Sequence, residues 1–384
     1  MKIAFNGSFW NKPNTGSGQY LRALLTTLAQ HDTSNVYSLI APSAVSRPPS
    51  NVAVHYETFA LNRAGDNLAK LYFEQIAFVR ACQREQVDLA HVPYFASPLF
   101  PRARTVVTIH DLIPLVLPLY RGSVLVRAYT QLVALSARRA DAIIADSEHS
   151  KRDIVRHLGI DAARVHVVYL AADARYRPMN PGEADAVQRK YSLPPSEKYL
   201  LYLGGYDQRK NVRVIIQAFA QLRDLYDAGY RLVLGGVMLG NDSEFFPDPR
   251  RTAREVGAHG GVTLPDDAFC YLGWVDEVDK PAVFSNAAAF LFPSIYEGFG
   301  LPPLEAMACG APVICSNASS LPEIVGDAGI TIDPNNIDAW ANAIRTVITS
   351  STKRAEMSQR GVEQARKFSW KRAAEETLKV YQTT

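Results

Sequence analysis

The sequence predicts an α/β protein built from two doubly wound domains. Three observations predict it. Short apolar runs alternate with longer amphipathic ones along the whole chain, as parallel strands joined by helices require. The alternation falls into two series with a Pro- and charge-rich stretch between them. At 384 residues the chain is long for one core and comfortable for two.

In the first series, strands are expected near Ile3–Asn6, Val36–Ile40, Val52–His55, Leu89–His91, Val106–Ile109 and Ala142–Ala145. Helices are expected near Gly18–Gln30, Asn67–Arg84, Ser123–Ala140 and Glu148–Leu158. The second series begins with a strand at Tyr199–Leu203, followed by Arg231–Gly235, Phe269–Leu272, Ala288–Phe292, Val313–Cys315 and Gly329–Ile332. Its helices fall near Val212–Tyr226, Lys280–Asn286, Leu301–Cys309 and Ile337–Ser350, and the chain closes with helical stretches at Ala355–Phe368 and Trp370–Tyr381. Asp173 to Pro195, which includes Arg177-Pro178-Met179-Asn180-Pro181-Gly182, reads as the linker. The expected division is 1–175 and 176–366, with 367–384 a terminal helix crossing back to the first domain. Two such domains would place a cleft at the carboxyl ends of both sheets, where open α/β folds bind ligands.

Composition narrows the function classes. The residues are 47% hydrophobic and 21% charged, ordinary for a globular protein, and 41 basic against 38 acidic residues give +3, no case for nucleic acid. The four cysteines, Cys82, Cys270, Cys309 and Cys315, form no Cys-x-x-Cys pair, which argues against a zinc site or a disulfide framework and fits a reducing cytosol. Met1 to Gly7 runs straight into a strand pattern without a signal-peptide apolar region, and no stretch reaches the ~18 apolar residues of a spanning helix. A soluble or membrane-surface protein is expected.

The chemistry concentrates in Tyr296-Glu297-Gly298-Phe299-Gly300-Leu301-Pro302-Pro303-Leu304-Glu305. A glycine turn follows a buried strand, and Pro302 and Pro303 mark a helix start. The first turn of a helix leaves backbone N–H groups unpaired, and glycine lets an anion approach them. Glu297 is then in the loop and Glu305 in the helix, with a turn cap and a dipole-balancing carboxylate as the alternative reading. Gly204-Gly205-Tyr206-Asp207-Gln208-Arg209-Lys210-Asn211 has the parts of a diphosphate clamp: glycines after a strand, then a planar guanidinium and a point-charge ammonium. Solvated charges before a helix are the alternative there. Asn14-Thr15-Gly16-Ser17-Gly18 is a further loop able to approach phosphate. It is no dinucleotide fingerprint, because Leu21 stands where the third glycine belongs and no acid ends the second strand. His110 ends a buried strand beside Asp111, as a catalytic or a structural histidine. No Asp-x-Asp occurs and no His/Asp/Glu cluster has metal-ligand spacing, so no metal or other cofactor is expected.

Taken together, Glu297 to Glu305, Gly204 to Asn211 and the strand-end His110 resemble the retaining glycosyltransferases of family 4, and the resemblance covers essentially the full length. Ile143 to Lys151 and Leu321 to Val325 are further family-like stretches. The resemblance implies the GT-B fold, two facing Rossmann-like domains with a cleft between them, the first binding acceptor and the second a nucleotide-sugar. It implies that Glu305 holds the ribose hydroxyls, and that Glu297 and the amides of Phe299, Gly300 and Leu301 meet the donor sugar. Arg209 and Lys210 would neutralise the diphosphate beside Gly205, Gly16 would approach it from the first domain, and His110 would contact the sugar near the reacting carbon. The backbone at Gly273-Trp274-Val275 would read the base edge. Ser294 to Met307 is closest to bacterial hexosyltransferases of surface polysaccharide assembly, which implies GDP-mannose as donor and a saccharide or lipid-linked acceptor. Basic, apolar stretches at Leu61–Arg84, with Arg63, Lys70, Arg80 and Arg84, and at Tyr120–Arg139, with Arg121, Arg127, Arg138 and Arg139, suggest peripheral contact with an anionic membrane at the cytoplasmic face. A nucleotide-sugar epimerase or hydrolase on the same fold, and a non-catalytic nucleotide-sugar-binding subunit, are the competing readings.

Overall fold

The computed structural model describes residues 1–57, 65–238, 241–259 and 264–384. The chain forms two compact units, one of Met1–Leu170 with Ser369–Thr384, the other of Ala171–Phe368.

The first unit holds a seven-stranded parallel sheet in the order β3-β2-β1-β4-β5-β6-β7. Its strands are β1 (Lys2–Asn6), β2 (Val36–Ala41), β3 (Ala53–Tyr56), β4 (Leu89–Val92), β5 (Arg104–Ile109), β6 (Ala142–Ala145) and β7 (Val165–Val167). β4 and β6 are buried end to end, the continuous apolar runs that a sheet covered on both faces demands. The core gathers Phe73, Phe78, Val107, Ile109, Val133 and Ile143. Strand order reverses between β1 and β4, so the crevice for a ligand lies outside their carboxyl ends.

The second unit repeats the plan with six parallel strands in the order β10-β9-β8-β11-β12-β13. These are β8 (Tyr199–Leu203), β9 (Arg231–Gly235), β10 (Phe269–Gly273), β11 (Ala289–Phe292), β12 (Val313–Ser316) and β13 (Ile330–Ile332). β8 pairs with β11 through Leu200 and Leu201 opposite Ala289 and Phe290, and the order reverses there. Phe290 is fully buried and meets Phe284 edge-on at 5.2 Å between ring centres and Phe292 at 5.8 Å.

Several expectations need correcting. The stretch taken as the linker holds a helix, Pro181–Lys190, started by a capping box between Asn180 and Glu183. That helix belongs to the second unit, where Lys190 bonds Asp276 at 2.8 Å and Asp279 at 2.6 Å. The unit boundaries fall at 170/171 and 368/369 instead of 175/176 and 366/367. Tyr176 bonds Glu277 at 3.2 Å, and the Phe368 ring meets Phe299 at 5.9 Å, which ties both flanking segments to the second unit. The helix expected over Val212–Tyr226 is two, Val212–Ala220 and Arg223–Asp227. The break lets Leu222 bury. The stretch Asn67–Arg84 carries a π-turn at Phe73–Ala77 between helices Asp66–Tyr72 and Phe78–Arg84. β7 and the helix Pro249–His259 had no counterpart in the sequence reading.

The terminal helix Trp370–Thr383 packs on the helix Gly16–His31 of the first unit. There Tyr381 sits within 2.5 Å of His91 Nδ1, and both are fully buried.

Phe290→Ala is expected to destabilise the second unit by about 3–5 kcal/mol through cavity formation. A urea titration followed by near-UV circular dichroism should show the transition of that unit moved to lower denaturant, and an unchanged midpoint would refute the core assignment.

Candidate functional site

The second unit draws its proposed site residues to the carboxyl edge where strand order reverses. Gly204 and Gly205 follow β8, and a short 3-10 turn at Gln208–Lys210 carries Arg209 and Lys210 to the loop after β11. The Ile295 N–H donates to Arg209 O at 2.9 Å and locks the two loops together. Arg209 Nη1 and Lys210 Nζ then reach the same atom, Glu297 Oε1, at 2.8 and 2.7 Å. Ser294 Oγ donates to that oxygen at 2.5 Å. Arg209 also donates to Tyr296 O at 2.9 Å and has Asp207 at 3.4 Å, while Lys210 lies 5.0 Å above the Phe292 ring.

These charges are largely removed from water, and their proton affinities follow. Burial alone would raise the Glu297 carboxyl, but Lys210 and Arg209 outweigh it and hold it below the ordinary carboxylate range. Burial, with Arg209 adding to it, lowers the Lys210 ammonium against the pull of Glu297.

The backbone of the turn is held by serines the sequence reading did not single out. Glu297 N–H donates to Ser319 Oγ at 2.8 Å, and Ser320 Oγ donates to Glu297 O at 3.0 Å and lies in hydrogen-bond reach of Phe299 O. Ser316 donates to Ser294 O beneath them. Their signal was the family-like stretch at Leu321 to Val325, which these serines immediately precede. Gly300 sits at φ +127°, and a Cβ there would meet Leu321 Cδ2 at 3.0 Å, so the turn into the helix Leu301–Ala308 needs glycine.

Glu305 lies inside that helix, 8% exposed, among Tyr176, Lys280 and Glu277. Burial pushes its carboxyl up to about 8, with Lys280 opposing and Glu277 adding to the rise. Glu297 and Glu305 are thus opposite in character, one held below the ordinary carboxylate range by its cations and the other pushed above it by burial. Val275 follows β10 with its side chain buried, beside the half-exposed Trp274.

In the first unit, His110 directly follows β5. Its Nδ1 lies 2.7 Å from Asp146 Oδ2 and its Nε2 3.2 Å from Pro93 O. Burial opposes its protonation, but Asp146 outweighs burial and the imidazole pKa is raised. Gly16 opens the helix Gly16–His31, and nothing lies within 4 Å of where its Cβ would be. Gly18 is the sterically required glycine of that pair, since its Cβ would come 2.0 Å from Lys12 O. Among the described residues no group of three or more His, Cys, Asp or Glu is placed to hold a metal ion.

Comparison with known proteins joins these features. A model of the family described as "Glycosyltransferase Family 4" matches residues 14–176, and one described as "Glycosyl transferases group 1" matches 183–364. The O-antigen chain mannosyltransferase B of Escherichia coli is 33% identical over 99% of this chain and 99% of its own length. The chain belongs to glycosyltransferase family 4. Another relative of this family 4 member, the serotype-specific mannosyltransferase WbdA of Escherichia coli, is 29% identical over 71% of this chain and 32% of its own length. Among solved structures, sucrose-phosphate synthase from Thermosynechococcus elongatus superposes with a TM-score of 0.74 at 20% identity, covering 100% of this chain and 98% of that one. Anabaena HepE in complex with UDP-glucose gives 0.75 at 18% identity over 100% of both. The likeness establishes the GT-B fold for this family 4 enzyme.

The raised Glu305 carboxyl has a signed consequence for stability. Below its ordinary value of 4.5 the carboxyl is protonated in both states; between 4.5 and about 8 only the folded family 4 chain keeps the proton. Stability therefore falls as pH rises through that window. Glu305→Gln is expected to remove this slope, and urea midpoints should show the variant gaining on the parent from pH ~5 to ~8. Parallel profiles would contradict the raised carboxyl.

Proposed function

We propose that this glycosyltransferase moves mannose from GDP-mannose to a hydroxyl of a saccharide or lipid-linked saccharide, with retention at the anomeric carbon and without a metal ion. The observation that carries the reading is the Arg209–Lys210–Glu297 constellation at the reversal of the second sheet, joined to a full-length likeness to an O-antigen mannosyltransferase. Arg209 and Lys210 stabilise negative charge as it grows on the departing diphosphate, the task a divalent cation would otherwise perform. Glu305 takes the ribose hydroxyls. The turn at Glu297 to Leu301 meets the sugar, and the edge at Gly205 and Val275 takes diphosphate and base.

Retention follows from attack on the face the leaving group departs from. The acceptor oxygen bonds to the anomeric carbon as the bond from that carbon to the phosphate oxygen breaks. The electron pair leaves with the nucleoside diphosphate, and its phosphate oxygen takes the acceptor's proton. A double displacement needs a carboxylate beneath the anomeric carbon. Glu297 is committed elsewhere through Oε1, which two cations and a hydroxyl hold, so the reading gives it no nucleophile's role.

The first unit takes the acceptor. Its helix Val124–Ala137 exposes Val124 at 78% and Leu125 at 81%, beside exposed Arg121 and Arg127, which suits an anionic membrane at the cytoplasmic face. The other basic stretch fits that role poorly. Phe73 and Phe78 are buried in the core, Arg84 pairs with Glu57 at 2.7 Å, and Arg63 lies outside the described residues. Likewise Arg138 donates to Leu158 O and Arg139 covers the Phe100 ring. Among the described residues no helix is long and apolar enough to cross a membrane.

Radiolabel transfer from a panel of nucleotide sugars, run in EDTA with saccharide and lipid-linked acceptors, tests the reaction. GDP-mannose should be the best donor and the product should keep the anomeric configuration. Arg209→Ala and Lys210→Ala should each lower turnover by at least ~10²-fold. Another preferred donor, an inverted product, metal dependence or full activity in both variants would each remove the corresponding part. For the membrane, Leu125→Glu should abolish co-sedimentation with phosphatidylglycerol vesicles at low salt; absence of binding by the parent protein would end the idea.

A further inference from the structure

The first unit contains two buried histidines, and their partners make them opposites. His91 Nδ1 faces Tyr381 OH at 2.5 Å and Nε2 faces Thr108 Oγ1 at 2.8 Å. A hydroxyl can donate or accept, so a neutral imidazole satisfies both contacts in either tautomer. Burial, with the charge of His110 adding to it, pushes His91 down to about 3.

His110 has no such freedom. Asp146 Oδ2 and Pro93 O are both acceptors, and the ring nitrogens facing them must both donate. Only the doubly protonated ring does that. The groups packed around it agree. Asp146 stands at the end of β6, and Asp111, next in the chain, adds a second negative charge from the same side of the balance. From β4 comes His91, kept neutral by its burial. From the helix Gly16–His31 comes the Tyr20 ring, edge-on at 4.9 Å, with its hydroxyl 2.9 Å from Thr108 Oγ1. From the helix Glu148–Leu158, Ser150 Oγ donates to His110 O at 3.2 Å.

We infer that His110 is held as an imidazolium by Asp146 and the Pro93 carbonyl, so that it serves transfer as a fixed positive charge and never as a proton acceptor, and that Asp146 is the positioning residue that sets this state. The inference rests on the reading of His110 as a residue of the transfer site. With both N–H groups committed, the ring has no lone pair for the acceptor's proton, and that proton goes to the leaving phosphate. The charge is also placed without a search over rotamers, because two acceptors just past separate strands hold the ring from both nitrogens.

The test reads the protonation state directly. Nitrogen-15 NMR of the full chain labelled at histidine, with His110 assigned by its loss in His110→Gln, should show both ring nitrogens in the imidazolium range at pH 7.5. An unperturbed histidine, with its pKa near ~6.5, is mostly neutral there. Asp146→Asn should move the His110 titration to lower pH and pull the alkaline limb of the transfer rate with it, lowering kcat at pH 8 more than at pH 6.5 while leaving donor KM within about twofold. Asp146→Glu should restore part of both shifts. A neutral His110 in the parent protein at pH 7.5, or an Asp146→Asn profile that only scales down without moving, would overturn the assignment. Should Asp146→Asn not fold, the parent spectrum alone decides the charge state. Because the spectrum is taken without substrate, a wrong donor assignment leaves it unchanged, and the two failures are distinguishable.

Discussion

One carboxylate oxygen, Glu297 Oε1, is where the edge of the second unit is tied together. Two cations and a hydroxyl converge on it, from a loop after β8 and a loop after β11 that strand pairing and the Ile295 to Arg209 backbone bond already hold side by side. Taking an ammonium and a guanidinium out of water costs several kcal/mol each, and only a close partner with good geometry offsets that. The carboxylate makes the buried cations tolerable before any ligand arrives, and Asp207 completes the neutralisation. Removing Glu297 would therefore strand two charges, and removing either cation would leave the carboxylate to the other. On the function proposed above, an incoming diphosphate would compete with Glu297 for the same donors, and binding would exchange one anion for another. Such an exchange would favour a doubly charged ligand over a singly charged one.

Both sheets obey one geometric rule that makes such edges available. Where strand order reverses, the crossover helices depart to opposite faces and leave the carboxyl ends of two adjacent strands uncovered. Chemistry-bearing residues then sit in the loops just past those strands. His110 lies one strand from the reversal in the first sheet, supported by Pro93 just past β4 and Asp146 just past β6.

Much of this was legible in the sequence, for identifiable reasons. Parallel strands buried on both faces write themselves as short apolar runs, and β6 and β8 coincide with their expected bounds. Glycine, proline and charge punctuation located the turns that hold Glu297 and Arg209. Other features depend on contacts between distant residues, which no local pattern encodes. The helix Pro181–Lys190 looked like a linker because proline and charge signal both a break and a capped helix start. The serines at 294, 316, 319 and 320 act through hydrogen bonds to other residues' backbone and side chains, and a lone serine carries no signal beyond the stretch it stands in. Asp146 stood inside a quoted stretch, yet its pairing with His110 requires β5 and β6 to lie side by side. The two basic stretches were alike on paper, and only burial separated the core phenylalanines of one from the exposed valine and leucine of the other.

The discontinuity of the first unit bears on how the protein is made. Residues 1–170 leave the ribosome well before 369–384, with the whole of the second unit between them. Until Trp370–Thr383 arrives, the nascent sheet lacks the helix that packs on Gly16–His31, and His91 lacks the Tyr381 hydroxyl. An orphaned buried imidazole and an uncovered apolar helix face are the surfaces on which misassembly and chaperone capture act. The first unit begins folding first and finishes last, while the second can mature in a single uninterrupted stretch of translation.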